Sequence, residues 1–191
     1  MNQDFLDPNM SRATVYETPE GLRIVVPARR RILIALFLSF WLCGWAFGWI
    51  AAFTTLASGS AGSGGLFLVF WLCTWTVGGM FAISFVAWML AGKEVVTVTS
   101  QGIEIARKIG VFQRSRSCKA DYITDLRAVD EAPSTSFGRS QPPWILSGFR
   151  HGSVKFDYGN LTLGFGLELE RGEARKISGL LAERFAYLQS R

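Results

Sequence analysis

The side chains that could support covalent chemistry are few and lie far apart along the chain. The thiol of Cys118 and the imidazole of His151 are a possible nucleophile and general base. Asp121 or Asp125 is the carboxylate that would orient such a base. Nothing in the spacing brings these groups together, and a cysteine in a predicted strand is more often a buried thiol than a nucleophile. We therefore expect no enzymatic activity.

Cysteine and histidine usage also argues against a metal site or a disulfide framework. The chain has three cysteines and one histidine. Cys43, Cys73 and Cys118 show no C-x-x-C spacing, and the first two lie within long apolar runs. A histidine-rich metal site is excluded by the single histidine. We expect neither a metal nor another cofactor.

A basic cluster surrounds the predicted tight connection at Gly110. The chain carries a formal net charge of +5, which suits the anionic cytoplasmic face of a membrane and gives little reason to expect nucleic acid as a partner. The cluster is a candidate contact for lipid or for an acidic partner. A solvated hairpin edge is the alternative, since basic residues also prevent edge strands from pairing. Its members are Arg107, Lys108, Arg114, Arg116 and Lys119.

The elements that must position these groups are organised around an uncharged stretch from Ile32 to Gly92. Two apolar runs, Ile32–Ala57 and Leu66–Ala91, flank the small polar loop Ser58–Gly65. Each run exceeds the roughly 20 residues that a membrane-spanning helix needs. Two buried helices of a soluble protein would leave this stretch without a solvated face, and a cleaved signal peptide has an apolar part of only about 7–15 residues. The stretch predicts a transmembrane hairpin.

The charges at the ends of the hairpin predict its orientation. Arg29–Arg31 precedes the first run and Lys93 follows the second, whereas the connecting loop is uncharged. Short flanking segments rich in lysine and arginine stay on the cytoplasmic side. We therefore expect both termini in the cytoplasm. Proton or ion translocation by this chain alone is not expected, because the span contains no ionisable group.

Small and bulky residues mark different faces of the two helices. The stripe Trp41, Trp45 and Trp49 recurs every fourth residue, and we expect lipid or a helix of another subunit to receive it. Small residues allow close helix approach in lipid. The candidate packing positions are Gly44 and Gly48 on the first helix, and Gly78, Gly79 and Ala82 on the second.

The remaining chain forms two segments, a leader at 1–31 and a tail at 93–191, on either side of the hairpin at 32–92. Two short strands in the leader would lie on the membrane surface or join the tail's sheet. Alternating residues in the tail predict several short strands, and a loop rich in proline, serine and glycine at 131–143 precedes a short strand at 144–146. Apolar spacing predicts an amphipathic helix from about 170 to 189.

This order of elements resembles the membrane-anchored bacterial proteins with a pleckstrin-homology-like (PH-like) domain. In outline it is also similar to the photosystem I assembly factors of cyanobacteria and chloroplasts. The resemblance covers roughly residues 22–188 and lies in a pattern of apolar positions and turns. The segments that carry it are Trp71–Gly78, Gly102-Ile103, Tyr122–Arg127, Phe156–Gly159, Phe165-Gly166 and Glu173-Ala174.

The resemblance implies an α+β membrane protein, with the two-helix hairpin followed by a C-terminal PH-like β-barrel or sandwich that the amphipathic helix closes. It implies a non-catalytic scaffold or assembly subunit of a larger photosynthetic or respiratory complex, in a bacterial inner or photosynthetic membrane. Its partners would be membrane lipids and the subunits of that complex. The alternative function is a module that senses lipid head groups through the basic cluster.

Overall fold

The computed structural model describes residues 12–129 and 148–188. These residues fold as two units, one from Arg30 to Leu90 and the other from the described residues on both sides of it. The predicted loop at 131–143 and the predicted strand at 144–146 lie outside the described residues. The described part of the leader, residues 12–29, belongs to the same unit as the tail.

The first unit is a pair of helices, α1 (Ile32–Ala57) and α2 (Gly65–Ala91). Both are long and apolar enough to cross a membrane, with a mean hydropathy of 1.9 in each. The predicted bounds are confirmed to within one residue, and a short 3-10 turn at Gly62–Gly64 precedes α2. Since neither helix has a charged residue, neither has a polar face for water.

The other unit contains a five-stranded antiparallel sheet in which each strand pairs with the next along the chain. Strand alternation places one set of side chains in the core, as Val96, Val98, Ile103 and Ile105 show by being almost fully buried. The two N-terminal strands join this sheet, which is the second of the two positions predicted for them. The strands are β1 (Thr14–Thr18), β2 (Gly21–Pro27), β3 (Gly92–Thr99), β4 (Gly102–Ile109) and β5 (Phe112–Lys119).

A smaller three-stranded antiparallel sheet packs on the same core. No ladder joins the two sheets among the described residues, so the predicted barrel is not closed. The α+β class is confirmed, while the PH-like fold stays a prediction. The strands of the second sheet are β6 (Ile123–Ala128), β7 (Val154–Tyr158) and β8 (Leu161–Phe165).

The helical pair is an insertion between two neighbouring strands of the larger sheet. Strands β2 and β3 run antiparallel, and Pro27 at the end of β2 lies opposite Lys93 near the start of β3. Just beyond this pair the Ala28 amide donates a hydrogen bond to the Gly92 carbonyl, at 3.0 Å. The chain therefore leaves the sheet toward α1 and returns from α2 at the same end of one ladder.

The helix α3 (Arg171–Arg184) packs its apolar face on the core. A capping box starts it, since Glu170 accepts a hydrogen bond from the amide of Glu173 and Glu173 accepts one from the amide of Glu170. The helix ends five residues before the predicted position, and a 3-10 turn at Ala186–Leu188 follows. Its buried apolar residues are Ala174, Ile177 and Leu181.

We predict that Leu181→Ala will destabilise the sheet unit by about 2–5 kcal/mol, because the lost volume leaves a cavity in a fully buried site. Lys176→Ala on the exposed face of the same helix is the control and should stay within about 0.5 kcal/mol of the parent. Chemical unfolding of both variants measures the difference. Equal stability of the two variants would mean that α3 does not pack on the sheets.

Candidate interaction surfaces

A buried ion pair joins the central strands of the larger sheet. Glu94 on β3 lies directly opposite Arg107 on β4, and each residue is 1% exposed. The Nε of Arg107 donates to the Oε1 of Glu94 at 3.1 Å. Burying two charges is costly unless the remaining donors and acceptors are also satisfied. The surrounding loops supply those partners.

Backbone groups from one end of the smaller sheet, where β7 begins and β8 ends, complete the pair. The second carboxylate oxygen of Glu94 accepts hydrogen bonds from the amides of Gly166 at 2.6 Å and Leu167 at 3.2 Å, just after β8. The guanidinium of Arg107 donates to the carbonyls of Gly148 and His151, before β7. The pair therefore ties the larger sheet to the loops that bound the smaller one.

An aromatic ring covers the guanidinium of Arg107. The ring of Phe149 lies 5.0 Å from the Arg107 carbon Cζ and 5.8 Å from that of Arg114. Both distances are within the range of cation–π attraction. Phe149 is itself only 6% exposed, so this loop is held against the sheet by packing as well as by hydrogen bonds.

The predicted basic cluster is not one surface. Arg107 is buried in its ion pair, so it is removed from the predicted contact with lipid or partner, which is a correction to the sequence analysis. Lys108 and Arg114 lie near the turn between β4 and β5, whereas Lys119 pairs with Gly102 at the opposite end of the ladder. Arg116 lies between them, opposite Ile105. At about 3.4 Å per residue, the ends are about 24 Å apart.

The turn between β4 and β5 carries two exposed apolar side chains that sequence analysis did not single out. Val111 is 93% exposed and Phe112 is 73% exposed. Gly110 adopts a left-handed φ of 53°, which lets the chain reverse tightly between Ile109 and Phe112. The signal in the sequence was a Val-Phe pair directly after the turn glycine, flanked by basic residues.

In the helical unit, two members of the tryptophan stripe, Trp45 and Trp49, hydrogen-bond to α2. The indole Nε1 of Trp45 donates to the carbonyl of Trp75 at 3.0 Å, and the indole of Trp75 donates to the carbonyl of Trp45 at 3.3 Å. Trp49 donates to the hydroxyl of Thr76 at 2.8 Å, and the Trp41 ring lies 6.3 Å from that of Trp75. Trp41 is 40% exposed, and reception of this stripe by lipid or by a helix of another subunit stays a prediction.

These reciprocal bonds explain a repeated segment in the two helices. Phe40–Trp45 reads FWLCGW and Phe70–Trp75 reads FWLCTW. Trp45 and Trp75 end the two segments, so in the antiparallel pair each indole reaches the carbonyl of its counterpart. The repeat thus marks the point where the helices hydrogen-bond to each other, and such bonds stabilise helix association in a membrane.

One of the predicted packing glycines contacts the opposite helix. Gly79 is buried, and a Cβ at that position would overlap the indole ring of Trp45. A Cβ at Gly44, Gly48 or Gly78 would meet no atom within 4 Å. Gly44 and Gly48 therefore do not form the contact within the hairpin, and the face that carries them is open. Ala82 is half-buried.

The structure separates the groups considered for catalysis. Cys118 lies in β5 at 1% exposure, and burial raises the pKa of its thiol. His151 lies in the loop before β7, and no hydrogen bond joins it to Cys118 in the part of the chain that the structure describes. In residues 12–129 and 148–188, no three His, Cys, Asp or Glu side chains come close enough to hold a metal ion.

Asp125, one of the two candidate orienting carboxylates, instead forms an ion pair on the smaller sheet. It binds Arg127, whose Nη1 also donates to Asp157 at 3.0 Å. Hydrogen bonds from Arg127 and from the Thr162 hydroxyl hold the pKa of Asp157 below its usual value. This exposed group links β6 to β7.

No protein-family model, curated protein or solved structure matches this chain. The resemblance to membrane-anchored proteins with a PH-like domain therefore rests on the pattern of the sequence alone.

We predict that Glu94→Ala will destabilise the sheet unit by about 3–5 kcal/mol, because it leaves Arg107 buried without its carboxylate. The combined change Glu94→Met and Arg107→Met should cost less than the sum of the two single changes, as expected for directly coupled residues. Chemical unfolding of the full chain in detergent provides these values. The control is Glu104→Ala, at an exposed position of the same sheet. Equal effects of Glu94→Ala and Glu104→Ala would contradict a structural role for the pair.

We predict that Gly79→Leu will displace the Trp45 indole and break its hydrogen bond to Trp75. Proton–nitrogen NMR spectra of the detergent-solubilised protein measure this change through the indole N–H signals. The signal that is lost in Trp45→Phe identifies the Trp45 indole. The neighbouring Gly78→Leu is a matched control, since its added side chain meets open space. The hairpin contact is disproved if both variants leave the indole signals unchanged.

Proposed function

We propose that this chain is a membrane-anchored, non-catalytic binding protein that works as a scaffold or assembly subunit of a larger membrane complex. In this proposal α1 and α2 span the bilayer, and the sheet unit, which we propose to be PH-like, lies at the cytoplasmic face. The host is a photosynthetic or respiratory complex in a bacterial inner or photosynthetic membrane. That assignment of the host rests on the resemblance of the sequence alone.

The observation that carries the proposal is the insertion of an uncharged helical pair between two hydrogen-bonded strands. Because Ala28 and Gly92 are bonded to each other, the chain must enter and leave the helical pair at one place. A hairpin of two membrane-spanning helices meets this requirement, since it starts and ends on the same side. The basic residues at Arg29–Arg31 and Lys93 favour the cytoplasmic side for both ends.

The outward faces of the helices support a role in binding other membrane subunits. Trp45 and Trp49 hydrogen-bond within the hairpin, whereas a Cβ at Gly44 or Gly48 of α1 would have no neighbour within 4 Å. Lipid fills such a face as well as a helix does, but small residues let the backbone of a second helix approach closely. We propose that a helix of another subunit packs there.

Lipid head-group sensing is the second candidate function. Fewer residues of the basic cluster lie together than the sequence predicted, because Arg107 is buried and Lys119 lies at the far end of its strand. Lys108 and Arg114 still flank an exposed turn. These two residues support a general contact with anionic lipid better than a pocket for one head group.

We predict that Gly44→Leu will reduce the amount of this protein that migrates with a larger complex after gentle detergent extraction. The added side chain blocks close approach of a second helix but meets nothing within the hairpin. Native electrophoresis of the extract measures the amount. Cys43→Leu is the control, because it adds a similar side chain at a neighbouring exposed position of the same helix.

Two results would contradict the proposed function. One is migration as a free monomer under every gentle extraction condition. The other is a normal abundance of every major membrane complex after deletion of the gene. Equal migration of the Gly44→Leu and Cys43→Leu variants with the complex would exclude the Gly44 face and leave other faces of the hairpin as the contact.

A further inference from the structure

We propose that the turn between β4 and β5 inserts its Val111 and Phe112 side chains into the surface of an anionic bilayer, with basic residues beside it on the head groups. This inference deepens the proposed function and rests on it, since it requires α1 and α2 to span that bilayer. It concerns how the sheet unit is held at the membrane, in addition to the covalent link to the helices. We call residues 109–112 the β4–β5 tip.

The register of the sheet places this tip at the end of the sheet from which the helices leave. Gly92 follows directly after the last residue of α2 and pairs with Ile109, which in turn pairs with Phe112. Neighbouring strands are about 4.8 Å apart, so Phe112 lies about 10 Å from Gly92, where the chain enters the sheet from α2. If α2 ends at the bilayer surface, the tip is within about 10 Å of that surface.

The chemistry of the tip matches a bilayer interface. Val111 and Phe112 are among the most exposed apolar residues of the sheet unit. Exposed apolar side chains beside basic residues are typical of segments that lie in the interface between head groups and acyl chains. Water is a poor environment for this pair, and no second strand or helix of the described residues covers them.

The charges beside the tip are positive. Lys93 and Lys108 lie opposite each other on neighbouring strands, one residue from the same end of the sheet, and Arg114 follows two residues after Phe112. Lys93 and Arg114 are exposed, and Lys108 is half-buried. The carboxylate of Glu94, which is also near this end, is paired with Arg107. Anionic head groups attract basic residues that lie near the bilayer surface.

The opposite end of the same sheet provides an internal control. The turn between β3 and β4 contains Ser100 and Gln101, which are exposed and polar. Strand β3 extends seven residues from Gly92 to Thr99, so this turn begins about 24 Å from Gly92. A bilayer that contacts the β4–β5 tip cannot reach this turn when the strands point away from the membrane.

Depth-dependent fluorescence quenching tests the proposal on the full chain. Cys43→Ala and Cys73→Ala remove the two exposed cysteines, while Cys118 is buried. A polarity-sensitive fluorophore is then attached through Val111→Cys or, in the control, through Gln101→Cys. The protein is reconstituted into vesicles of phosphatidylcholine and phosphatidylglycerol that contain a lipid with a quencher near its head group.

We expect several-fold stronger quenching and a blue-shifted emission for the probe at position 111 compared with the probe at position 101. Lys93→Gln combined with Lys108→Gln should weaken the quenching at position 111. Equal quenching at the two positions overturns the proposal, as does quenching at position 111 that the lysine changes leave unaltered.

An alkaline wash of the same vesicles separates this proposal from the function on which it rests. Retention of the protein together with equal quenching overturns the tip contact alone. Release of the protein by the wash overturns the membrane anchor, and the tip contact with it. A probe at position 111 that is shielded from water without being quenched by the lipid indicates a protein partner, which also contradicts the proposal.

Discussion

The buried pair of Glu94 and Arg107 is the interaction on which the sheet unit depends. The two sheets share no ladder among the described residues, so strand pairing does not fix the position of one sheet against the other. Apolar packing is not directional, so it does not fix that position by itself. The ion pair adds directional contacts. The carboxylate of Glu94 accepts a hydrogen bond from the backbone just after β8, and the guanidinium of Arg107 donates one to the backbone before β7. Such a network is stabilising only when every charged atom is satisfied, so loss of one partner affects both sheets.

The two helices of the helical unit are held together by hydrogen bonds and close packing. In a membrane, apolar side chains gain little by leaving lipid for a neighbouring helix. Hydrogen bonds and close packing must therefore hold two such helices together. The reciprocal bonds between Trp45 and Trp75 supply the first, and the absence of a side chain at Gly79 allows the second. This arrangement leaves many large apolar side chains of both helices exposed.

Much of the fold follows from local patterns in the sequence. Alternating residues identify β3 and β4, and the turn at Gly102 sets their register. That register places Glu94 opposite Arg107, and both have the parity of the core residues Val96 and Ile105. The buried pair was therefore predictable in principle. The amides of Gly166 and Leu167 were not, because they are brought to Glu94 by a contact between distant segments.

The faces through which the two helices contact each other could not be predicted from their apolar pattern. A helix that is apolar on all sides offers no polar face from which its orientation can be read. The tryptophan stripe was therefore assigned to lipid or another subunit, although Trp45 and Trp49 also hydrogen-bond to α2. Of the predicted packing glycines, Gly79 contacts the opposite helix, whereas a Cβ at Gly44, Gly48 or Gly78 would meet no atom within 4 Å. The repeat of FWLC in the two helices was the available signal for the internal contact.

We propose above that the apolar hairpin, inserted between β2 and β3 at one end of the larger sheet, is the membrane anchor of this protein. The most direct measurement replaces residues 29–91 by a short Asn-Gly turn that joins Ala28 to Gly92, whose backbones are already bonded at 3.0 Å. If the hairpin is the anchor, the shortened protein should leave the membrane fraction after an alkaline wash and should unfold cooperatively in solution. Retention in the washed membranes, or loss of the folded sheet unit, would contradict it.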